Sequence, residues 1–206
     1  MISRDRLLRF HDTPRSRHTP VRAPQPFWVF KMPFDFQPRL QGGLLELRPL
    51  REEDLGDMYA VAADPLIWEQ HPDKDRYQEE VFKSFFQDAL DSQSALTVID
   101  CNDHQIIGSS RYHGYDEKRD EIEIGWTFLT RSHWGGTYNR ELKCLMLHHA
   151  FKFVTSAIFL VEPDNLRAQR AVEKIGGVRS DSRTDGSGRK SLAYRIEACN
   201  WMDAAM

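Results

Sequence analysis

EIEIGWTFLTRSHWGGTYNRE, residues 121–141, carries an alternating strand pattern through a Gly-Gly loop straight into a long amphipathic helix. The backbone N–H groups of such a loop and of the helix's first turn have no internal partners, and the helix dipole favours negative charge at that end. The junction therefore suits an anion, and a phosphate-bearing ligand first of all. A helix terminus contributes only about 0.3–1 kcal/mol per exposed charge, so the order of the flanking elements has to decide what kind of site this is.

Working outward, LLELRPL (44–50) alternates as a strand and leads into a helix over 51–63, with Asp54 as its cap and Leu55, Met58, Tyr59 and Ala62 on its apolar side. A second helix spans 78–91, with Val81, Phe82, Phe85, Phe86 and Leu90 on one stripe. Three strands follow as an antiparallel meander: ALTVIDC (95–101), QIIGSSRYHGY (105–115) and EIEIGWTFL (121–129). Beyond the glycine loop, the helix over 138–154 sets Leu142, Leu145, Met146, His149, Ala150 and Phe153 on its apolar face. AIFLVEP (157–163) is a short strand, NLRAQRAVEKIGG (165–177) a helix closed by glycines, and VRSDSR and SLAYRIE a terminal hairpin around DGSG. The order βααβββαβαββ predicts an α/β (α+β) domain over 42–198, between an N-terminal tail of 1–41 and a C-terminal tail of 199–206.

The N-terminal tail holds prolines at 14, 20, 24, 26, 33 and 38 and no sustained apolar period, so it is expected to be poorly ordered, or an extension upstream of a start at Met32. Net charge divides sharply: residues 1–41 carry eight Lys/Arg against three Asp/Glu, and the remainder twenty against twenty-eight. An acidic body disfavours nucleic acid and favours cationic partners. No apolar run reaches the roughly 20 residues of a membrane span, and no secretory signal is evident, so a cytoplasmic protein without membrane attachment is expected. Cys101, Cys144 and Cys199 are odd in number and widely spaced, which reads as reduced thiols. His148 and His149 are adjacent, point to different faces and lack a third ligand at metal spacing, so no metal is expected.

EIGWTFL (123–129), WGGTYNRELK (134–143) and NLRAQRAVEKIGG (165–177), in this order of elements, resemble the GNAT superfamily of acyl-CoA N-acyltransferases, and most closely the branch of the ribosomal-protein N-terminal acetyltransferases. The resemblance covers residues 44–197. It implies a central, mostly antiparallel mixed sheet flanked by helices, with acetyl-CoA as co-substrate lying where the fourth and fifth strands of the expected order diverge. The pyrophosphate would rest on Trp134, Gly135, Gly136, Thr137, Tyr138 and Asn139, where the family's usual loop has a glycine and a second small residue at positions that here hold Thr137 and Asn139. Backbone donors survive any substitution except proline. The family's frequent acid on the fourth helix falls at Val172, and the serine of the ribosomal branch near Ala168, which admits an alternative reading as a non-catalytic acyl-CoA-binding module. A thiolate is a tolerable leaving group near neutrality, which keeps the enzyme reading ahead. A nucleotide-binding α/β protein is the weakest alternative, because the loop lacks a GxxxxGK[ST] pattern.

Acyl transfer to an amine requires a placed carbonyl, donors for its developing oxyanion and an acceptor for the amine's proton. The backbone of Trp126, Thr127 and Phe128, on a strand that has left its neighbour, is expected to supply the donors. Glu121 and Glu123 alternate with Ile122, Ile124 and Trp126, and desolvation would raise a carboxylate beside an apolar site toward neutrality. Glu123 is therefore the expected base, with His113 next. Asn165 is read as a helix cap and as a partner for the pantetheine arm; Arg167 and Arg170 read as solvated. The segment from Asp64 to Glu80 adds Glu69, Asp73, Asp75 and Glu79 to Asp54 and Asp57, with Trp68 and Tyr77 placed to stack on a cation. The acceptor is thus expected to be a primary amine carrying further positive charge, such as a small cationic amine or a basic protein N-terminus. A homodimer is left open.

Overall fold

Alternate residues of a strand face opposite sides of a sheet, and here that alternation sorts two cores onto two faces. The computed structural model describes residues 32–184 and 188–205. Its strands are β1 (Leu40–Gln41), β2 (Leu45–Pro49), β3 (Ala95–Asp100), β4 (Ile106–Asp116), β5 (Glu121–Leu129), β6 (Ser156–Val161), β7 (Val178–Thr184) and β8 (Lys190–Glu197). The helices are α1 (Leu55–Ala62), α2 (Pro65–Trp68), α3 (Glu79–Asp91), α4 (Thr137–Ala150), α5 (Leu166–Glu173) and α6 (Ala198–Ala205). All eight strands form one sheet in the order β1-β2-β3-β4-β5-β6-β8-β7. Every neighbouring pair is antiparallel except β5 with β6. The expected βααβββαβαββ order is present, with β1, α2 and α6 added to it.

Leu96, Tyr112, Ile122 and Ile124 bury against Leu142, Met146 and Leu147 of α4. On the opposite face Ala95 and Phe128 meet Met58 of α1, Trp68 of α2, and Phe82 and Phe86 of α3. The Tyr112 hydroxyl donates to the Met146 carbonyl at 2.8 Å and so ties β4 to α4. Gly108 is needed where β4 bends against β5, since a Cβ there would stand 2.0 Å from the Phe128 carbonyl oxygen.

The expected boundary after residue 41 falls too late. Phe34 is buried among Phe36, Tyr112, His149 and Phe153, the Asp35 carbonyl meets His149 Nε2 at 2.8 Å, and Leu40–Gln41 pairs with β2. The aromatic spacing of this segment outweighs its prolines. Residues 1–31, the rest of that expected tail, lie outside the described residues. The C-terminal segment assigned to a tail forms α6, and Trp201 stands 5.7 Å from the Phe151 ring.

Asp54 does not cap α1 through its side chain. Its carboxylate instead accepts from the Arg51 N–H at 3.0 Å, from Thr97 at 2.8 Å and from both Nη atoms of Arg48 at 2.7 and 2.6 Å. Burial raises its pKa, but the Arg48 and Thr97 bonds outweigh that and leave it below the usual carboxylate value.

Truncating a buried phenylalanine typically costs about 3–5 kcal/mol. Phe34→Ala is expected to lower the urea midpoint by an amount in that range without changing the slope of the transition. An unchanged midpoint would place Phe34 outside the cooperative core.

Candidate functional site

The site is built where β5 changes neighbours. With β6 it pairs only from Glu121–Ser156 to Glu123–Ile158. With β4 it pairs again at Ser109–Phe128 after Arg111–Gly125, so two residues of β5, Trp126 and Thr127, lie opposite Ser110 alone. This is a β-bulge, whose extra residue leaves the ladder and bends the strand. Trp126 takes φ 50°, a left-handed backbone uncommon for a bulky residue and therefore held by its surroundings.

A buried lysine from α4 supports the bulge from one side. Lys143 Nζ donates to Thr127 Oγ1 and lies 3.5 Å from Ser110 Oγ, and the two hydroxyl oxygens are 2.7 Å apart. Thr127 and Ser110 also approach the Gly125 carbonyl at 3.3 and 3.4 Å. The ammonium position stands over the Phe159 ring of β6 at 5.4 Å. Among the described residues Lys143 has no carboxylate partner, and burial pulls its pKa down to about 7. Sequence reading placed the apolar face of α4 on Leu142, Leu145 and Met146 and passed over Lys143. A signal was available, because Lys143, Met146, Leu147 and Ala150 repeat at three and four residues and all are buried.

The bulge also changes which face Trp126 occupies. Strict alternation puts it with Ile122 and Ile124, but the extra residue carries its ring to the other face, 5.0 Å from His113 and 5.1 Å from the Arg111 guanidinium. Glu123 lies on that face too, in register with His113 across β4 and β5. It is half-buried, and burial raises its pKa to about 7, with Arg183 opposing weakly. His113 is open to solvent on one side, while partial desolvation of its ring and the nearby Arg111 lower its pKa. Glu121 is committed elsewhere: Arg183 at 2.6 Å and Arg195 clamp it, and it stays ionised.

The glycine loop ends in an uncapped helix. Gly136 is the N-cap residue of the 14-residue α4 and no side chain caps that end. Gly135 has φ 72°, a conformation that favours glycine. Gly135, Gly136 and Thr137 are exposed, and among the described residues the Thr137 and Asn139 side chains make no hydrogen bond. Two side chains of the loop are engaged inside the fold. The Trp134 indole donates to the Leu129 carbonyl at 2.8 Å while Arg167 stacks over its ring at 3.9 Å, and the Tyr138 hydroxyl meets Asp100 at 3.3 Å. Arg167 is half-buried, and it donates to the Ile67 carbonyl at 2.8 Å. Asn165 caps α5 by accepting from the Ala168 N–H at 3.0 Å, and Val172 is buried with no titratable group in its place.

The acidic segment is less acidic than it reads. Asp64 pairs with Arg131, and Asp73 pairs with Arg76 at 2.7 Å and Arg189 at 3.2 Å. Trp68 is buried, with the Arg76 guanidinium 5.5 Å from its ring, so its face is not open to an external cation. Among the described residues no group of three potential ligands could hold a metal ion, and no helix is long and apolar enough to cross a membrane.

A family model described as an acetyltransferase (GNAT) domain matches residues 45–178. No curated protein matches the chain. Among solved structures, a GCN5-related N-acetyltransferase from Brucella melitensis is 16% identical, with 82% of this chain and 83% of that one covered at a TM-score of 0.73. RimJ from Mycobacterium smegmatis, in complex with CoA-disulfide, is 18% identical over 79% and 86% of the chains at 0.58. Spermidine N-acetyltransferase from Vibrio cholerae, in complex with CoA and spermine, is 15% identical over 78% and 99% at 0.61. At these identities the likeness is one of fold.

Lys143 makes a stability prediction whose sign follows from its lowered pKa. Between about pH 7 and its ordinary value of 10.5 the unfolded chain binds the proton and the folded chain does not, so this group makes stability rise with pH across that window. Its contribution reaches at most about 1.4 kcal/mol per pH unit. Lys143→Met is expected to flatten that rise in urea unfolding between pH 7 and 10. An unchanged slope would show that the lysine is charged in the folded state.

Proposed function

The chain belongs to the acetyltransferase (GNAT) domain family, and on that premise we propose how it transfers an acyl group from acyl-CoA to an amine. The acyl-CoA pyrophosphate rests on the backbone of Gly135 to Asn139, where the uncapped start of α4 offers donors and the positive end of a helix dipole. Its acyl arm enters the gap that opens between β5 and β6 beyond Glu123–Ile158. The N–H groups at the Trp126–Thr127 bulge, outside the β4 ladder, face the acyl oxygen; one such donor is worth about 3 kcal/mol in acyl transfer.

Glu123 receives the proton of the attacking amine. The observation that carries this assignment is its position: the last residue of β5 paired with β6, half-buried, with a pKa near 7. A base with that pKa is deprotonated over much of the neutral range yet basic enough to accept a proton. His113, opposite it in register, stands at the mouth of the same face. The acceptor approaches from this side, between β4, β5 and α3. The pairing of Asp64 and Asp73 with arginines withdraws part of the charge that a cation-selecting rim would use.

Glu123→Gln keeps the shape and removes the base. Turnover with an amine panel is expected to fall about a hundredfold or more, with acetyl-CoA affinity unchanged. In the wild type the rate should rise through pH 7 as Glu123 ionises, and the variant should lose that limb. Retention of both the rate and the limb would assign Glu123 a structural role. Binding of acetyl-CoA without turnover of any amine would support the non-catalytic module.

Gly136→Pro tests the phosphate placement. It removes one donor and fixes φ near −65° where the loop has −134°. The acetyl-CoA Kd is expected to rise about tenfold or more, equivalent to about 1.4 kcal/mol. Calorimetry showing an unchanged Kd would move the pyrophosphate elsewhere.

A further inference from the structure

Arg111, in the middle of β4, is 7% exposed, and its Nε and Nη2 atoms are buried with no hydrogen-bond partner. A buried polar group without a partner is costly, and a buried charge more so. The guanidinium cannot escape by losing its proton; burial lowers its pKa, but an arginine remains charged at neutral pH. The charged groups acting on it from the packed elements are Asp88 of α3, which stabilises the charge, and Arg76, which opposes it. Neither makes a hydrogen bond or an ion pair with it among the described residues. The guanidinium carbon lies 5.1 Å from the Trp126 ring centre and 5.8 Å from that of Phe85. Aromatic rings thus flank the group while one edge stays unmatched.

That edge has a particular chemistry. Nε–H and one Nη2–H point the same way from the planar group, forming the fork that receives the two oxygens of a carboxylate. Arg111 lies on the face that carries Glu123 and His113, opposite Gly125 and two residues along β4 from His113. Two residues of strand span about 6.6 Å. An amine at Glu123 whose own carboxylate lies a few bonds away would reach the fork.

We propose that the acceptor is an amino acid or a similar small amine bearing a carboxylate, held by the Nε–Nη2 edge of Arg111 so that its nitrogen faces Glu123. This rests on the reading of the Glu123 face as the acceptor side. Trp126, half-exposed on the bulge, lies against the guanidinium, so its ring would have to turn aside to admit the carboxylate. A peptide carbonyl satisfies one donor but leaves the charge uncompensated, which is why a free carboxylate is favoured over a protein N-terminus.

The test compares the twenty common amino acids with their carboxamides as acceptors, for the full chain and for Arg111→Met and Arg111→Lys. The wild type is expected to favour at least one acid over its carboxamide by tenfold or more in kcat/KM. Arg111→Met should abolish that preference through KM, and Arg111→Lys, which keeps the charge but not the fork, should restore it only in part. Calorimetric titration of the preferred acid, or of each acid in turn where none is turned over, into protein saturated with CoA separates this proposal from the catalytic reading. Binding that Arg111→Met abolishes supports the proposal even if no turnover occurs. Turnover of amines or peptide N-termini with no carboxylate preference overturns it while leaving the acyltransfer reading intact. Absence of both binding and turnover for every acid also overturns it.

The melting temperature of the ligand-free protein supplies a readout that a structural role would move the other way. Replacing a buried, unpartnered charge with methionine is expected to raise it. A lowered melting temperature together with unaltered acceptor preference would make Arg111 a structural residue.

Discussion

The short register slip in β5 is the constraint on which the site depends. One additional residue at Trp126 lets the strand pair with β4 on both sides of the slip while it leaves β6 after Glu123. A tryptophan at positive φ is an unfavourable choice for such a place. Its cost is offset by contacts on both sides: His113 and Arg111 against the ring, and the Lys143–Thr127–Ser110 bonds below the backbone. Without the bulge the ladder would continue, the N–H groups there would be used in pairing, and Trp126 would point to the α4 side.

Two buried cationic side chains frame this slip from opposite faces, and they differ physically. Lys143 is surrounded by hydroxyl and aromatic groups, so the amine form is favoured as pH rises through about 7. Arg111 has no such freedom, because its guanidinium holds the proton across the whole working range. A neutral lysine can rest in the apo fold; a charged arginine with an unmatched edge is better satisfied when something anionic arrives. Elsewhere the chain pairs its buried charges thoroughly, as with Asp54 and Arg48 or Glu121 with Arg183 and Arg195. Against that habit the bare edge of Arg111 stands out.

Much of the fold was legible from periodicity. The meander, the glycine loop and the helices on either side follow from alternation, apolar stripes and turn residues, because each is set by contacts between near neighbours in the chain. Glu123 as the desolvated carboxylate could be named for the same reason: its place two residues before Gly125 on a strand fixes its face. The slip could not be seen, since a bulge leaves no local mark in EIGWTFL, and so Trp126 was assigned to the wrong face. Arg111 gave no signal at all, as an arginine on an alternating strand reads as solvated. Two partners of the acidic segment, Arg131 and Arg189, could not be read from it because they are distant in sequence.

What the sequence by itself determined is the succession of elements, the family they resemble and the backbone chemistry of the glycine loop, all properties of short stretches of chain. Only the tertiary structure decided which charges are neutralised and which are left bare, that residues 34–41 join the core, and that β5 parts from β6 at Glu123. Those outcomes depend on which distant groups arrive at the same place, and desolvation acts on a side chain only once the other layers have closed over it.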